Sequence, residues 1–522
     1  MNASTSNTPA LYPRRSLLRG VAGLAGLALT PLLSTLSACG GRGNGMGGGM
    51  GTMSPTPLIN PNRASARPLP IVPLATGTVD GTGTRRHSLS AQAGTSQLVS
   101  GVNTSTWGYN GALLGPALLL RQGEATALTV QNTLAETTTA HWHGLLVPAD
   151  MDGGPHQEIL AGSSWTAAFT VSNAPSTCWY HPHTHGATGR QVIQGLGGLL
   201  IIEDSASAQA LLPHVWGVDD VALVFQDRRF NADGSINYAL TPADKGRGYQ
   251  GDHLLVNGCH NPVWQAPQQW VRLRLLNACN ARFLSLRLSN SATLHQIANE
   301  GGLLASPVAR SSLMLAPGER AEVLVDLSGL SLGQSLSLNA RSSGMMDSGS
   351  VEVSALFLSV SQAAQAGAIT ALPATLPATP TLSAPAGAIR RTFSLDSSMS
   401  GGMGGGMGSG GMGFTINGTP FNIARTDFSL TAGNTEVWTF TNTTGMGHPI
   451  HVHGVRMSLL SRNGAPVAAQ EQGQRDTFVV DGNGSVDVVV QAPATASAMP
   501  FMLHCHILEH EDAGMMLQFV AA

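Results

Sequence analysis

Four short clusters of imidazole are the chemically conspicuous feature of this chain. They are His141-Trp142-His143, His181-Pro182-His183-Thr184-His185, His448-Pro449-Ile450-His451-Val452-His453, and His504-Cys505-His506. Each contains a pair of histidines spaced i, i+2. On an extended strand such residues face the same side, about 7 Å apart. A pair therefore offers two imidazoles to one ion, or one each to neighbouring ions. Neutral imidazole suits copper, zinc, iron and nickel. One such pair on a strand carries little information; four pairs, two in the first part of the chain and two in the last, point to a polynuclear metal site.

The last cluster selects the metal. Cys505 alternates with His504 and His506, so its thiolate is expected on the opposite face from both imidazoles. His510 and Met515 follow closely. One thiolate, two histidines and a weak axial methionine form the ligand set of a blue-copper electron-transfer site. His448, the unpaired member of the third cluster, is the candidate for the second histidine. Structural zinc sites favour tetrahedral Cys/His sets without methionine. The eight paired histidines can hold three further ions, two by three imidazoles and one by two. A one-electron acceptor joined by a short covalent path to a cluster able to pass on four electrons is what reduction of dioxygen to water requires.

The elements that must position these residues read as β-strands. Short apolar runs bounded by Gly, Asn and Pro recur at 127–130, 165–171, 221–225, 271–275, 322–325, 436–441, 485–490 and 501–504. No long segment carries a 3.6-residue apolar period, so helices are expected to be few and short. The reading is all-β: three consecutive sandwiches over 68–205, 214–362 and 391–522, with a linker at 363–390 and a Met/Gly-rich segment at 398–413 inside the last. Residues 1–39 read as an export signal, with Arg14-Arg15 ahead of a weakly apolar run in the manner of a twin-arginine leader. Leu36-Ser37-Ala38-Cys39 has the form of a lipoprotein cleavage box, and both lipid anchorage through Cys39 and plain cleavage stay open. Residues 40–67 read as a Gly/Met-rich tether. An exported, periplasmic, monomeric protein is expected. A formal charge of −3 excludes a nucleic-acid binder, five cysteines are too few for a disulfide scaffold, and no run of 18 apolar residues spans a membrane. Cys259 and Cys279 are a candidate disulfide that sequence alone does not settle.

The clusters resemble the copper motifs of the multicopper oxidases, in particular the bacterial copper-efflux oxidases and laccases. Gly217-Val218-Asp219-Asp220, Gln226-Asp227-Arg228-Arg229-Phe230 and Leu276-Asn277-Ala278 resemble that family's middle domain, so the likeness covers about residues 68–522. It implies three cupredoxin-like Greek-key β-sandwich domains and four copper ions. Cys505, His448, His510 and Met515 would hold the type 1 copper, and His141 and His451 the type 2 copper. His143, His181 and His506 would hold one type 3 copper, with His183, His453 and His504 on the other. Acids at the positions of Asp152 and Glu511 would assist oxygen reduction and proton supply. His185 and the middle-block histidines His214, His253, His260 and His295 are expected to be ordinary structural or surface groups.

The methionines bear on the electron donor. Met46, Met50 and Met53 lie in the tether, and Met399, Met403, Met407 and Met412 in the Gly/Ser run, where intervening glycines argue against a helix. Soft thioethers in such segments suit Cu(I). The resemblance places a methionine-rich insert here, with Met345, Met346, Asp347 and Met446 as neighbouring substrate-copper candidates. Thr444, however, stands where the copper-efflux type has an acid. Three functions follow in order: oxidation of Cu(I) or small phenolic and aryl-amine donors with four-electron reduction of dioxygen to water, serving copper tolerance; a laccase-like phenol or Mn(II) oxidase; and a non-catalytic copper-binding periplasmic protein, against which the full set of twelve ligand positions speaks. Length and the single cysteine-centred motif disfavour a two-domain nitrite reductase.

Overall fold

The computed structural model describes residues 56–343, 350–399 and 412–522, without the side chains of Ser398, Met399 and Met412. Among the described residues, six β-sheets fall into three successive pairs along the chain. The longest helix among the described residues is Thr188–Gln194, of 7 residues, in keeping with the missing helical period. The fold is all-β and cupredoxin-like.

The three sheet pairs share one kind of connection. In each, the two sheets carry a parallel pairing of strands that are not hairpin neighbours. These are Arg85–Ser96 with Ala125–Asn132 and Ala117–Leu120 with Gly198–Ile202 in the first sandwich. In the second they are Asp220–Arg228 with Trp270–Asn277 and Pro262–Pro267 with Val353–Gln362. In the third they are Arg390–Met399 with Thr435–Asn442 and Phe428–Leu430 with Met516–Ala521. Such crossovers are the Greek-key connection that closes a sandwich without tight parallel turns.

Burial follows the strand period. Arg85–Ser96 alternates buried and less buried residues over its first half, as expected of a strand with one face on a core. Asp220–Arg228 is buried throughout. Its Ala222 and Val224 pack with Leu199, Ile201 and Trp179 of the first sandwich, so both faces are covered.

Two segments depart from their sequence reading. From Thr56 onward the expected tether is laid along the middle sandwich. Leu58 enters its core, Ile59 N–H donates to Asp252, and Arg67–Pro68 adds a short parallel strand beside Pro262–Pro267. The apolar Leu58 and Leu69 within a Pro/Asn-rich stretch explain the docking. The Ala/Pro-rich linker also has partners, since Leu376 is buried against Leu303 and Trp270 and its N–H donates to Ala305. Cys259 and Cys279 are both buried and free, and Cys279 is part of the middle core. Cys39, Met46, Met50, Met53, Met345, Met346, Asp347, Met403 and Met407 lie outside the described residues. Met399 and Met412 are paired across neighbouring antiparallel strands, so the Met/Gly-rich segment joins two adjacent strands of the third sandwich.

Candidate metal centre

Three of the four histidine pairs sit where a strand ends, and the fourth, His141 and His143, lies in a loop bridged to one of them. His141 and His181 form an isolated antiparallel bridge just beyond Ser176–Tyr180. His448–Val452 ends one residue before His453, and Ser497–Cys505 one residue before His506. In that setting His181 and His183, and likewise His504 and His506, fall into two different groups, whereas His141 and His143 both lie within reach of His451.

The resulting groups are compact and buried. His143, His181 and His506 form one, His183, His453 and His504 a second, and His448, Cys505 and His510 a third, the donor atoms of each group lying within 4.8 Å of one another. His183 Nε2 and His453 Nε2 stand 3.2 and 3.1 Å from His504 Nε2, and His143 Nδ1 is 3.4 Å from His181 Nε2. His141 Nε2 and His451 Nε2 face each other at 3.4 Å. Donors on one ion, with bonds of about 2.0–2.3 Å, stand about 3–4 Å apart. The pairs from the first and third sandwiches interleave: His141 stacks on His453 at 3.8 Å and His143 on His451 at 3.6 Å.

Hydrogen bonds on the far side of His141, His451, His181 and His143 turn the other nitrogen of each inward. The Nδ1–H of His141 donates to the Asp152 carbonyl at 2.9 Å, that of His451 to the Asp476 carbonyl at 2.8 Å, and that of His181 to Pro182 at 2.8 Å. His143 is reversed. Its Nε2–H donates to Asp476 Oδ1 at 3.0 Å, leaving Nδ1 for the site. Neither ring nitrogen of His506 has a partner among the described residues. A buried imidazole with both nitrogens unsatisfied is costly, and a bound ion would satisfy one of them. Burial, reinforced by neighbouring imidazoles, lowers the pKa of His506 to about 3 and of His183 to about 4; burial lowers His510 to about 4. Neutral imidazole is the ligating form.

The thiolate group lies within the third sandwich. Cys505 Sγ is 3.5 Å from His448 Nδ1 and 3.8 Å from His510 Nδ1. Their outer nitrogens meet the Thr444 hydroxyl at 3.0 Å and the Gly246 carbonyl at 3.2 Å. Met515 is fully buried in the core that holds Cys505, and its backbone bonds to both Cys505 and His510. Burial raises the Cys505 thiol far above its ordinary range, so a cation beside it is what would favour the thiolate.

Asp152 and Glu511 are both buried and stand against the histidines. Asp152 Oδ2 accepts from His453 Nδ1–H at 2.7 Å, while Oδ1 has no partner among the described residues. Glu511 lies 3.4 Å from His183 Nδ1 and 3.2 Å from His504 Nδ1; burial raises its pKa, but these imidazoles outweigh it and hold the carboxyl low. Met446 is half-buried against the third core beside Thr444. His185 is exposed against Phe421 and joins no group.

Sequence reading missed four contributors. Asp476 and Thr477 contact His143 and His451, yet Arg475-Asp476-Thr477 carries no ligand spacing. Trp179 stacks on His181 at 4.1 Å, and its alternation with His181 was the available signal. Gly318, from the middle sandwich, lies so close that an added Cβ would stand 2.9 Å from the His506 ring.

The comparisons agree with this geometry. Multicopper oxidase sequence profiles match residues 90–207 and 392–522. The multicopper oxidase mco of Staphylococcus haemolyticus is 35% identical over 84% of this chain and 89% of its own length. The cell division protein FtsP of Dickeya dadantii is 34% identical, over 80% and 85%. Among solved structures, a laccase-like multicopper oxidase CueO from Ochrobactrum sp., described as active towards lignin model compounds, is 36% identical. It superposes with a TM-score of 0.78 over 87% of this chain and 100% of that one. A laccase from Pediococcus acidilactici is 33% identical, with a TM-score of 0.79 over 90% and 96%. Sandwich topology, clustered histidines and identity along most of both chains lead to one conclusion: the chain belongs to the multicopper oxidase family.

Proposed function

We propose that this protein is an exported copper oxidase that takes single electrons from Cu(I) or small phenolic and aryl-amine donors and reduces dioxygen to water. The observation that supports this most directly is the sharing out of one tripeptide. Cys505 Sγ belongs to the His448–His510 group, while His504 and His506 on either side belong to the two different three-histidine groups. In this reading Cys505, His448, His510 and Met515 hold the type 1 copper and His141 and His451 the type 2 copper. His143, His181 and His506 hold one type 3 copper, and His183, His453 and His504 the other.

Copper held by these groups would supply one-electron transfer beside Cys505 and dioxygen reduction among the histidine groups. The chain supplies orientation, dryness and protons. The inward-facing nitrogens are fixed by the outer hydrogen bonds, which also raise ligand basicity. Asp152 holds the His453 ring through Oδ2 and keeps Oδ1 free to carry a proton. Glu511, between His183 and His504, is the second acid. Burial excludes bulk water from both.

The donor side is less sharply marked. Thr444 accepts from His448 Nε2–H, so a neutral hydroxyl occupies the place of an acid beside the electron-accepting edge. That substitution sets this chain apart from the copper-efflux kind at one position, and a laccase-like oxidase of phenols or Mn(II) is the second reading. A third reading, a non-catalytic copper-binding protein, has the ligand groups against it. The test is anaerobic copper loading with a metal count and optical spectrum. About four coppers per chain and an intense thiolate-to-copper band are expected, and fewer than two coppers or no blue band would end the oxidase reading.

A further inference from the structure

The middle sandwich provides none of the proposed copper ligands, yet one of its arginines reaches the centre. Arg320, 1% exposed, begins the strand Arg320–Asp326. Its Nη1 and Nη2 form a two-pronged pair with Asp476 Oδ1 and Oδ2, at 2.7 and 2.5 Å, in the third sandwich. Its Nε–H donates to the Thr177 carbonyl at 3.1 Å, on the first-sandwich strand that leads into His181, and Nη1 also donates to Gly318 at 3.0 Å. One buried guanidinium thus bonds to all three sandwiches.

Asp476, clamped in this way, faces two imidazoles with two different atoms. Its side-chain Oδ1 accepts from His143 Nε2–H and its backbone carbonyl accepts from His451 Nδ1–H. These bonds decide which nitrogen of each ring points inward, Nδ1 of His143 and Nε2 of His451. The planar guanidinium fork matches a carboxylate in a way a lysine cannot, and it fixes the rotation of the carboxyl as well as its charge. Without it, Asp476 would be a buried, unpaired carboxylate free to turn away from His143. Gly318, two residues earlier on the same loop, lies flat against His506, so the middle sandwich touches the centre at two points.

We propose that Arg320 is a positioning residue for the trinuclear centre, acting through Asp476, and that its loss is felt first at the type 2 copper. The proposal rests on the copper assignments given above. The clamped carboxyl reaches His451 as well as His143, since Oδ1 stands 3.6 Å from His451 Nδ1 and accepts at 2.9 Å from the Thr477 hydroxyl, itself 3.3 Å from that nitrogen. His451 is one of two protein ligands of the type 2 ion, whereas His143 is one of three on its type 3 ion. Removing a group that orients a metal-bound histidine costs about 10–100-fold in metal affinity, and the ion held by the fewest ligands leaves first.

The test uses the full exported protein loaded with copper. Arg320→Met is expected to keep the blue band but to hold about three coppers per chain, with the non-blue cupric electron paramagnetic resonance signal lost. Arg320→Lys, a point charge without the fork, is expected to hold the type 2 ion about tenfold more weakly than the parent under chelator competition. Arg475→Met removes another buried guanidinium, one paired with Glu300 at 3.2 Å and not with Asp476, and is expected to keep the type 2 signal. Four coppers and an unchanged signal in Arg320→Met overturn the proposal, as does equal loss in Arg475→Met. If Arg320→Met fails to fold, Arg320→Lys decides alone, and parental affinity in it is refutation. A parent without a blue band refutes the copper assignments instead.

Discussion

Replacing Asp152 by asparagine separates two jobs that the carboxylate could be doing. Oδ2 accepts from His453 Nδ1–H at 2.7 Å, and Oδ1 is buried without a partner among the described residues. Asparagine has the same shape and keeps a carbonyl oxygen for the His453 N–H, so the ring keeps its orientation. The bond changes from charge-assisted to neutral, a loss of about 1–2 kcal/mol of stability. Copper content and the blue band should therefore be unchanged. The amide cannot carry a proton, and loss of a positioned acid or base lowers a rate by about 10²–10⁴, equivalent to about 3–5 kcal/mol in the barrier. Dioxygen uptake with a saturating phenolic donor, followed from pH 5 to 8, reads this out. A fall of about a hundredfold or more at full copper loading supports proton supply by Asp152. Unchanged turnover with an unchanged pH profile refutes it, and loss of copper in step with loss of rate would mean that Asp152 only orients His453.

Cys505→Ser removes the thiolate while leaving the histidine groups in place, so the blue band should vanish and about three coppers remain, by optical spectrum and metal count. Metal-free protein should lose thermal stability as pH falls from about 6.5 toward 4. His183, His506 and His510 have folded pKa values of about 4, 3 and 4, so across that window the unfolded chain binds more protons; each such histidine adds a slope of about 1.4 kcal/mol per pH unit. A flat melting temperature over that range contradicts the neutral, buried state of these rings. Gly318→Ala meets both a φ of +82° and the His506 ring 2.9 Å from the new Cβ, and should cost about 1–3 kcal/mol and weaken copper retention. Replacing 400–411 by Asn-Gly closes the hairpin that Met399 and Met412 already pair across. Cu(I) oxidation should fall several-fold while phenol turnover persists; unchanged Cu(I) oxidation undercuts a role for these thioethers.

What could be read from the sequence depended on whether a feature is local. The histidine pairs and the Cys505–His510–Met515 spacing are local patterns, and the structure gathers all of those histidines and the cysteine into groups. Strands such as Ala125–Asn132 and Thr435–Asn442 were legible for the same reason, because alternation against a single core is a property of neighbouring residues. Partners brought in from far along the chain were not. Asp476 stands 333 residues from His143 and Arg320 lies 156 residues from Asp476, and nothing near either one marks the contact. Thr56 was read as tether for a related reason. Its polar, Pro-rich surroundings lack strand periodicity, and its carbonyl is held by a distant group, the buried Arg282 guanidinium.

The division of ligands between sandwiches has a thermodynamic consequence. The Cys505 group draws His448, Cys505 and His510 from the third sandwich alone. The remaining groups each combine the first and third: His141 with His451, His143 and His181 with His506, and His183 with His453 and His504. Metal binding to a site that forms only on folding contributes its binding free energy to that folding. At the three shared sites that free energy stabilises the docking of one sandwich on another as much as the fold of either. Stacked, uncharged imidazoles supply little attraction of their own to hold that junction together. Copper at the thiolate group should then fill and release independently of the junction. Copper at the shared groups should bind as a set, and its removal should loosen the contact between the first and third sandwiches before either one unfolds.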